Sequence, residues 1–310
     1  MRLVTTAPAK VNLVLRVGPP RPDGYHDLAS LLVPLDLGDA VEVRVGARAG
    51  PIRCRVPGHR ELDGERNLAA RAAEAFRRRF GVDRAIAIRI EKRIPVTAGL
   101  GGGSSDAAAV LRCLARAFRV RDAAALAEVA LSIGSDVPFF LGPGPAWAAG
   151  RGERLRPATV SPLHLVLLYP RDAALAIRAA DAYRWLDEDR AGRPLPRLPG
   201  PSRWRPTLLG NDLQPPCVAR HPALDRLLER LTGAGATATL MSGSGPTVFG
   251  LFAGRAQARS AARRLGAAAG VDEEVHLART VTRQPGVSSW RSPTSASTRS
   301  TRRSSRPTSR

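Results

Sequence analysis

Lysine is nearly missing from this chain of 310 residues. Lys10 and Lys92 are the only two, and all the rest of its 48 basic residues are arginine. Against 27 acidic residues the net charge is +21, which suggests a partner carrying phosphate or other negative charge without saying which. With 29 glycines and 26 prolines, the arginine excess reads as a drift of composition along the whole chain, so part of the basicity needs no partner. Cysteine is scarce too. Cys54, Cys113 and Cys217 are odd in number, far apart and free of any C-x-x-C pair, which excludes a disulfide framework and points to a reducing compartment, the cytoplasm. The five histidines show no H-x-x-x-H spacing, so no zinc site is expected, and no residue is assigned as a metal ligand. No apolar run approaches the roughly 20 residues of a membrane span. Lys10 and Asn12 interrupt the first stretch before a signal-peptide core could form. Aromatic residues, at 5%, are too few for the rings interleaved with basic residues of a nucleic-acid module. The expectation is neither a membrane nor a nucleic-acid partner. What remains is globular composition, long enough for one large domain or two ordinary ones.

Hydrophobic periodicity divides the chain into short strands and single helices. Residues 1–17 alternate as a strand, broken by Gly18-Pro19-Pro20; apolar Leu28–Leu37 and alternating Val41–Val45 follow, separated by Gly38-Asp39. A helix is expected over 67–80, ended by Gly81, then a strand over Ala85–Ile94. A glycine loop at 99–103 leads into a helix from about Ser104 to Phe118, and Asp122–Ser132 forms another, closed by a Gly134-Ser135-Asp136 turn. The second half offers strands at Leu163–Tyr169, Ala236–Met241 and Thr247–Phe252, with helices at Ala173–Trp185, His221–Leu231 and Gln257–Ala269. Early strands with singly interposed helices indicate an α+β fold. Residues 188–206 are rich in Pro and Arg and read as an exposed loop; residues 286–310, with 13 Ser or Thr and no acid, read as a disordered tail.

The strongest segment is Pro95-Val96-Thr97-Ala98-Gly99-Leu100-Gly101-Gly102-Gly103-Ser104-Ser105. Four glycines in five positions let backbone N–H groups approach an anion, and the following helix aims its own free N–H groups and dipole at the same place. Ser104 and Ser105 are placed to cap that helix or to donate to phosphate. A flexible turn with a serine cap is the plainer alternative, but it explains poorly a strand, a glycine loop and an Ala-rich helix in succession. Neither lysine follows a glycine, so Walker A is excluded. The one formal G-x-G-x-x-A, Gly233–Ala238, stands between a helix and a strand, the wrong order for a dinucleotide fold, and no G-x-S-x-G elbow occurs.

That loop resembles the phosphate loop of the GHMP kinase superfamily, small-molecule kinases without Walker A. The segments Ala7-Pro8-Ala9-Lys10-Val11-Asn12-Leu13, Arg21-Pro22-Asp23-Gly24-Tyr25-His26, Gly134-Ser135-Asp136-Val137-Pro138-Phe139-Phe140 and Ser242-Gly243-Ser244-Gly245-Pro246 are similar to one branch of it, in matching order over roughly residues 1–280. The resemblance implies an N-terminal ribosomal-protein-S5-like domain over 1–157 and a C-terminal ferredoxin-like α/β-plait domain over 158–285. It implies ATP-dependent phosphorylation of the 2-hydroxyl of a cytidine diphosphate-linked methylerythritol in non-mevalonate isoprenoid synthesis, with Mg²⁺ on the nucleotide. By the same resemblance Asp136 is the catalytic base and Lys10 orients the acceptor hydroxyl. Residues 95–105 and Asn67 would bind ATP. Asn12 would touch the substrate's polyol, Tyr25 would stack on cytosine, and His26 would hydrogen-bond its Watson–Crick edge. Tyr183 would be the pocket's second face, with Gly243 and Ser244 closing over the site. Ala179 departs from the pattern, which usually has Thr or Ser there.

Taken alone, each residue has a plainer reading. Asp136 suits an Asx turn, Lys10 a strand edge, Asn67 a helix N-cap and Gly243-Ser244-Gly245 a turn. The alternative function is another small-molecule kinase of the superfamily with a sugar, homoserine or mevalonate-type acceptor. A monomer or weak homodimer is expected.

Overall fold

The computed structural model describes residues 1–192 and 198–289. Two long strands open the chain: β1 (Arg2–Pro20) and β2 (His26–Val45) pair antiparallel from Arg2↔Arg44 to Pro20↔His26. The predicted break at Gly18–Pro20 does not occur. β1 carries through it, and the turn lies at 21–25, where Arg21 N–H donates to the Tyr25 carbonyl at 2.6 Å. Leu28–Leu37 and Val41–Val45 are likewise one strand. A Cβ at Gly38 would stand 2.7 Å from the Ala7 carbonyl oxygen, so this glycine lets two strands approach instead of ending one.

The chain continues through β3 (Ile52–Arg55), α1 (Leu68–Phe80), β4 (Ile86–Glu91), α2 (Gly102–Phe118), α3 (Ala123–Ile133), α4 (Val137–Leu141), β5 (Ala146–Gly150) and β6 (Arg154–Pro157). The α1 boundaries follow from sequence chemistry: Asn67 Oδ1 accepts from the Ala69 N–H, and Gly81 closes the helix at φ 63°. Then come β7 (His164–Pro170), α5 (Ala179–Arg190), β8 (Gly210–Asn211), α6 (Gln214–Arg220), α7 (Pro222–Gly233), β9 (Ala238–Met241), β10 (Val248–Phe252), α8 (Arg255–Ala268), β11 (Glu273–Arg279) and β12 (Ser288–Ser289).

The first sheet runs β12-β1-β2-β4-β3, with β5 on β2, β6 on β5 and β8 on β1. The second is antiparallel in the order β11-β7-β10-β9, the ferredoxin-like plait of the expected α+β architecture. α1 to α4 pack on the first sheet around Phe76, Phe139 and Phe140. A separate core joins the sheets, setting Val11, Leu13 and Val33 of β1 and β2 with Leu165, Leu167 and Phe249 of β7 and β10. The middle of β1 is therefore buried on both faces, which is why its hydrophobicity is nearly continuous there.

Several expectations are corrected. Of the predicted helix 173–185, only the single turn Ala173–Leu175 forms before α5, which starts at Ala179 and runs on to Arg190. The Arg/Pro loop 188–206 is therefore partly helix, and its described part is tied down. Arg190 donates to the Val17 carbonyl at 2.7 Å and to Asp212 at 2.8 Å, and Trp147 Nε1 donates to the Ser202 carbonyl at 2.8 Å. Residues 193–197 lie outside the described residues. The disordered-tail reading fails for its first four residues, 286–289. Ser288–Ser289 pair with Val4 and Leu3, and Gly286 O accepts from Thr5, because the outer edge of β1 needs partners for its backbone. Residues 290–310, the rest of that tail, lie outside the described residues.

Candidate active site

The glycine loop joins β4 to α2, and the helix starts two residues earlier than expected. Gly101, at φ 72°, is its N-cap, and its carbonyl accepts from the Ser105 N–H at 2.9 Å. Ser104 and Ser105 are thus inside the first turn and do not cap it. The loop walls a cleft of about 360 Å³ shared with Arg66, Asn67 and Lys92. Pro95, Val96, Thr97, Ala98, Gly99, Gly101, Gly102, Gly103 and Ser104 all line it. Leu100 and Ser105 do not: Leu100 packs into the core between the sheets, and Ser105 is fully buried with its hydroxyl unpartnered.

Beneath this loop lies an ion cluster that sequence reasoning missed. Lys92 Nζ is 2.5 Å from Asp39 Oδ2 and 2.9 Å from Asp106 Oδ2, and all three side chains are buried. Asp39 Oδ1 also accepts from the Arg93 and Ile94 N–H groups at 2.6 and 2.8 Å. Burial, outweighing the pull of Lys92 and helped by repulsion from Asp39, pushes the Asp106 carboxyl up to about 8. The available signal was a lysine in an arginine-rich chain, three residues before the loop.

Lys10 stands between this cleft and a second cavity. A Cβ at Gly101 would lie 3.1 Å from Lys10 Cγ, and the Lys10 N–H donates to the Leu100 carbonyl at 2.9 Å. Lys10 and Asn12, two apart on β1, share a face. Lys10 Nζ donates to Asn12 Oδ1 at 2.8 Å, Asn12 Nδ2 to Ser30 Oγ at 2.8 Å, and Ser30 Oγ to the Val14 carbonyl at 2.7 Å. This chain fixes the ammonium, which lies 3.6 Å from Asp136 Oδ2. Asp136 is the N-cap of α4 but makes no capping bond, so its half-exposed carboxylate is not consumed by the helix it precedes.

The second cavity measures about 590 Å³. Tyr25, His26, Ala179, Tyr183, Gly243 and Ser244 line it together with Lys10, Asn12 and Asp136. Tyr25 is half exposed, with the Arg151 guanidinium 4.6 Å from its ring centroid. His26 is the first residue of β2, buried, with Tyr183 stacked on it at 5.1 Å. Burial, with the charge of Asp136 adding to it, raises the Tyr183 phenol and keeps it protonated. His26 Nε2 lies 3.0 and 3.1 Å from the two oxygens of Asp187. Sequence reasoning missed Asp187 and Arg151, because only the fold brings α5 and the β5–β6 turn to the 21–25 turn.

The second sheet closes the site. Gly243 and Ser244 lie in the turn between β9 and β10, and Ser242 Oγ donates to the Gly99 carbonyl at 3.1 Å. Asn211, also missed, donates to the Met241 and Gly243 carbonyls at 2.8 and 2.7 Å and holds that turn in place. Among the described residues no group of three or more His, Cys, Asp or Glu side chains is arranged to hold a metal ion, and no helix is long and apolar enough to cross a membrane.

Family models described as GHMP kinases N terminal domain and GHMP kinases C terminal match residues 67–144 and 203–272. The chain is 76% identical over 315 residues to the 4-diphosphocytidyl-2-C-methyl-D-erythritol kinase of Anaeromyxobacter dehalogenans strain 2CP-C, covering 99% of this chain and 100% of the relative. It is 45% identical to the kinase of that name from Deinococcus radiodurans, over 84% of this chain and 87% of the relative. A crystal structure of 4-(cytidine 5'-diphospho)-2C-methyl-D-erythritol kinase matches at 36% identity with a TM-score of 0.73, over 89% of this chain and 98% of that one. The glycine loop without Walker A, the two-sheet architecture and these identities agree, and the chain belongs to the 4-diphosphocytidyl-2-C-methyl-D-erythritol kinase family of the GHMP kinases.

Proposed function

We propose that this chain transfers the γ-phosphoryl group of ATP to the 2-hydroxyl of 4-diphosphocytidyl-2-C-methyl-D-erythritol. The observation that carries the reading is the Lys10–Asp136 pair, 3.6 Å apart, standing between a glycine-loop cleft and a cavity lined by Tyr25, His26 and Tyr183. Phosphoryl transfer asks a protein chiefly for positioning and charge stabilisation, with a base for the hydroxyl proton. Asp136 takes that proton as the oxygen attacks the γ-phosphorus. Lys10, held by Asn12, orients the acceptor oxygen and offsets charge on the transferred group. The loop 95–104 and the N-terminus of α2 cradle the phosphates, with Asn67 on the nucleotide side.

Mg²⁺ would arrive on the nucleotide, at the cleft walled by the glycine loop. When bound it would neutralise charge on the transferred group. Tyr25 stacks on the cytosine, His26 meets its Watson–Crick edge, and Asn12 touches the polyol. The Gly243-Ser244 turn covers the reacting groups. We further read residues 1–157 and 158–285 as the two domains, the working form as a monomer or weak homodimer, and its compartment as the cytoplasm.

The test is ADP release with the cytidyl substrate against a panel of sugar, homoserine and mevalonate acceptors. Activity confined to the cytidyl substrate is expected, and Asp136→Asn should lower kcat by roughly 10²–10⁴-fold while leaving ATP binding intact. Near-normal turnover in that variant would remove the base assignment, and a preference for another acceptor would overturn the substrate.

A further inference from the structure

We infer that Asp187 is a specificity-determining residue, which selects cytosine over uracil by fixing the tautomer of His26. The inference rests on the proposed meeting of His26 with the pyrimidine edge. Both oxygens of Asp187 lie within hydrogen-bond distance of one ring nitrogen, Nε2, at 3.0 and 3.1 Å. An ionised carboxylate only accepts, so Nε2 carries the proton and donates. A neutral imidazole has one N–H and one bare nitrogen, and the bare one is then Nδ1. Nδ1 has no hydrogen-bond partner among the described residues and belongs to a ring lining the acceptor cavity. The ring cannot easily turn to exchange its nitrogens. Tyr183 stacks on its face at 5.1 Å and 22°, while Asp187 pins its edge.

A bare Nδ1 accepts a hydrogen bond from the exocyclic amino group of cytosine. Uracil carries a carbonyl oxygen at that position, and two acceptors face each other without a proton between them. A site built around one hydrogen bond discriminates strongly against the partner that cannot make it. Asp187, on α5, touches no substrate in this scheme. It is a positioning residue acting through His26.

Two measurements test this on the full chain. In ¹⁵N spectra of histidine-labelled protein at a pH where His26 is neutral, with His26 assigned by His26→Gln, the wild type should show the Nε2–H tautomer. An Nδ1–H tautomer would overturn the inference before any substrate is added. Kinetics with cytidine-linked and uridine-linked methylerythritol diphosphates should then show a cytidyl preference in kcat/KM. Asp187→Asn keeps the shape, but its amide can donate as well as accept. That variant should shrink the preference by roughly tenfold or more, with the KM for ATP unchanged. A wild type that does not prefer cytidine defeats the underlying reading of the pocket. A wild type that does, beside an Asp187→Asn variant with an undiminished ratio, defeats the role of Asp187 alone. Equal losses on both substrates count as that second outcome.

Discussion

The chain's two lysines, Lys10 and Lys92, both end at the glycine loop with side chains only 7% exposed. Arginine cannot replace either without moving its neighbours. A Cβ at Gly102 would already lie 3.3 Å from Lys92 Nζ, and Gly101 sits as close to the stem of Lys10. Lys10→Arg should therefore lower kcat by roughly a hundredfold despite conserving charge, because a guanidinium displaces the acceptor by about an ångström. Activity within a few-fold of wild type would count against that crowding. Lys92→Met should cost about 3–5 kcal/mol in unfolding experiments, since it strands Asp39 without a cation. Asp106 adds a pH signature. Its carboxyl moves from an ordinary 3.8 to about 8 in the folded chain. Across that window the folded state holds a proton that the unfolded state has released, so stability from this group falls as pH rises. Asp106→Asn should gain on wild type in thermal unfolding between pH 5 and 9; parallel curves would show that the carboxyl does not titrate there.

At the scale of elements, some predicted binding residues also terminate helices. Asn67 caps α1 through Oδ1, and its Nδ2 donates to the Leu62 carbonyl at 2.9 Å, while the residue lines the glycine-loop cleft. Asn67→Ala should cost about 1 kcal/mol of stability and Asn67→Ser much less, because serine still caps. If both variants show the same raised KM for ATP with different melting temperatures, the nucleotide contact and the cap are separate functions of one side chain. Asp136 is the opposite case, an N-cap by position whose side chain is not used as one. α1 was legible because it has a cap at each end and an alanine face. α6 was not anticipated; its Pro215 and Pro216 fall in the first helical turn, where proline is well tolerated.

The two sheets meet over a gap that only glycine fits. At Gly99, with φ 72°, a Cβ would stand 2.4 Å from the Ser242 carbonyl oxygen and 2.7 Å from that of Gly245. Gly99→Ala should spread the loop from the β9–β10 turn and lower both kcat and melting temperature, whereas Gly58→Ala, at a positive φ in open space, should affect stability alone. A Gly99→Ala variant with normal kcat would show that this contact is not needed for turnover. Charge is a property of the whole chain as well. Deleting residues 290–310 removes six arginines and should weaken adventitious binding to polyanions without changing kcat/KM. Cutting after 285 should in addition cost stability, because it removes the Ser288–Ser289 pairing with β1.

Sequence alone determined what is local. The glycine loop and its helix, the caps of α1 and α3, the alternation of β4, and the motif segments that name the superfamily are all encoded within a few consecutive residues. The tertiary structure decided what depends on partners far apart in the chain. Asp39 meets Lys92 and Asp106, His26 meets Asp187, and Asn211 holds the turn at Gly243, each pair brought together by strand pairing or helix docking. It also decided that Gly18–Pro20 and Gly38 continue strands, since a glycine's role depends on what lies across from it. Of the two lysines, Lys92 lines the glycine-loop cleft beside Arg66, while Lys10 faces the second cavity, a division that net charge could not foretell because it depends on how the strands pair.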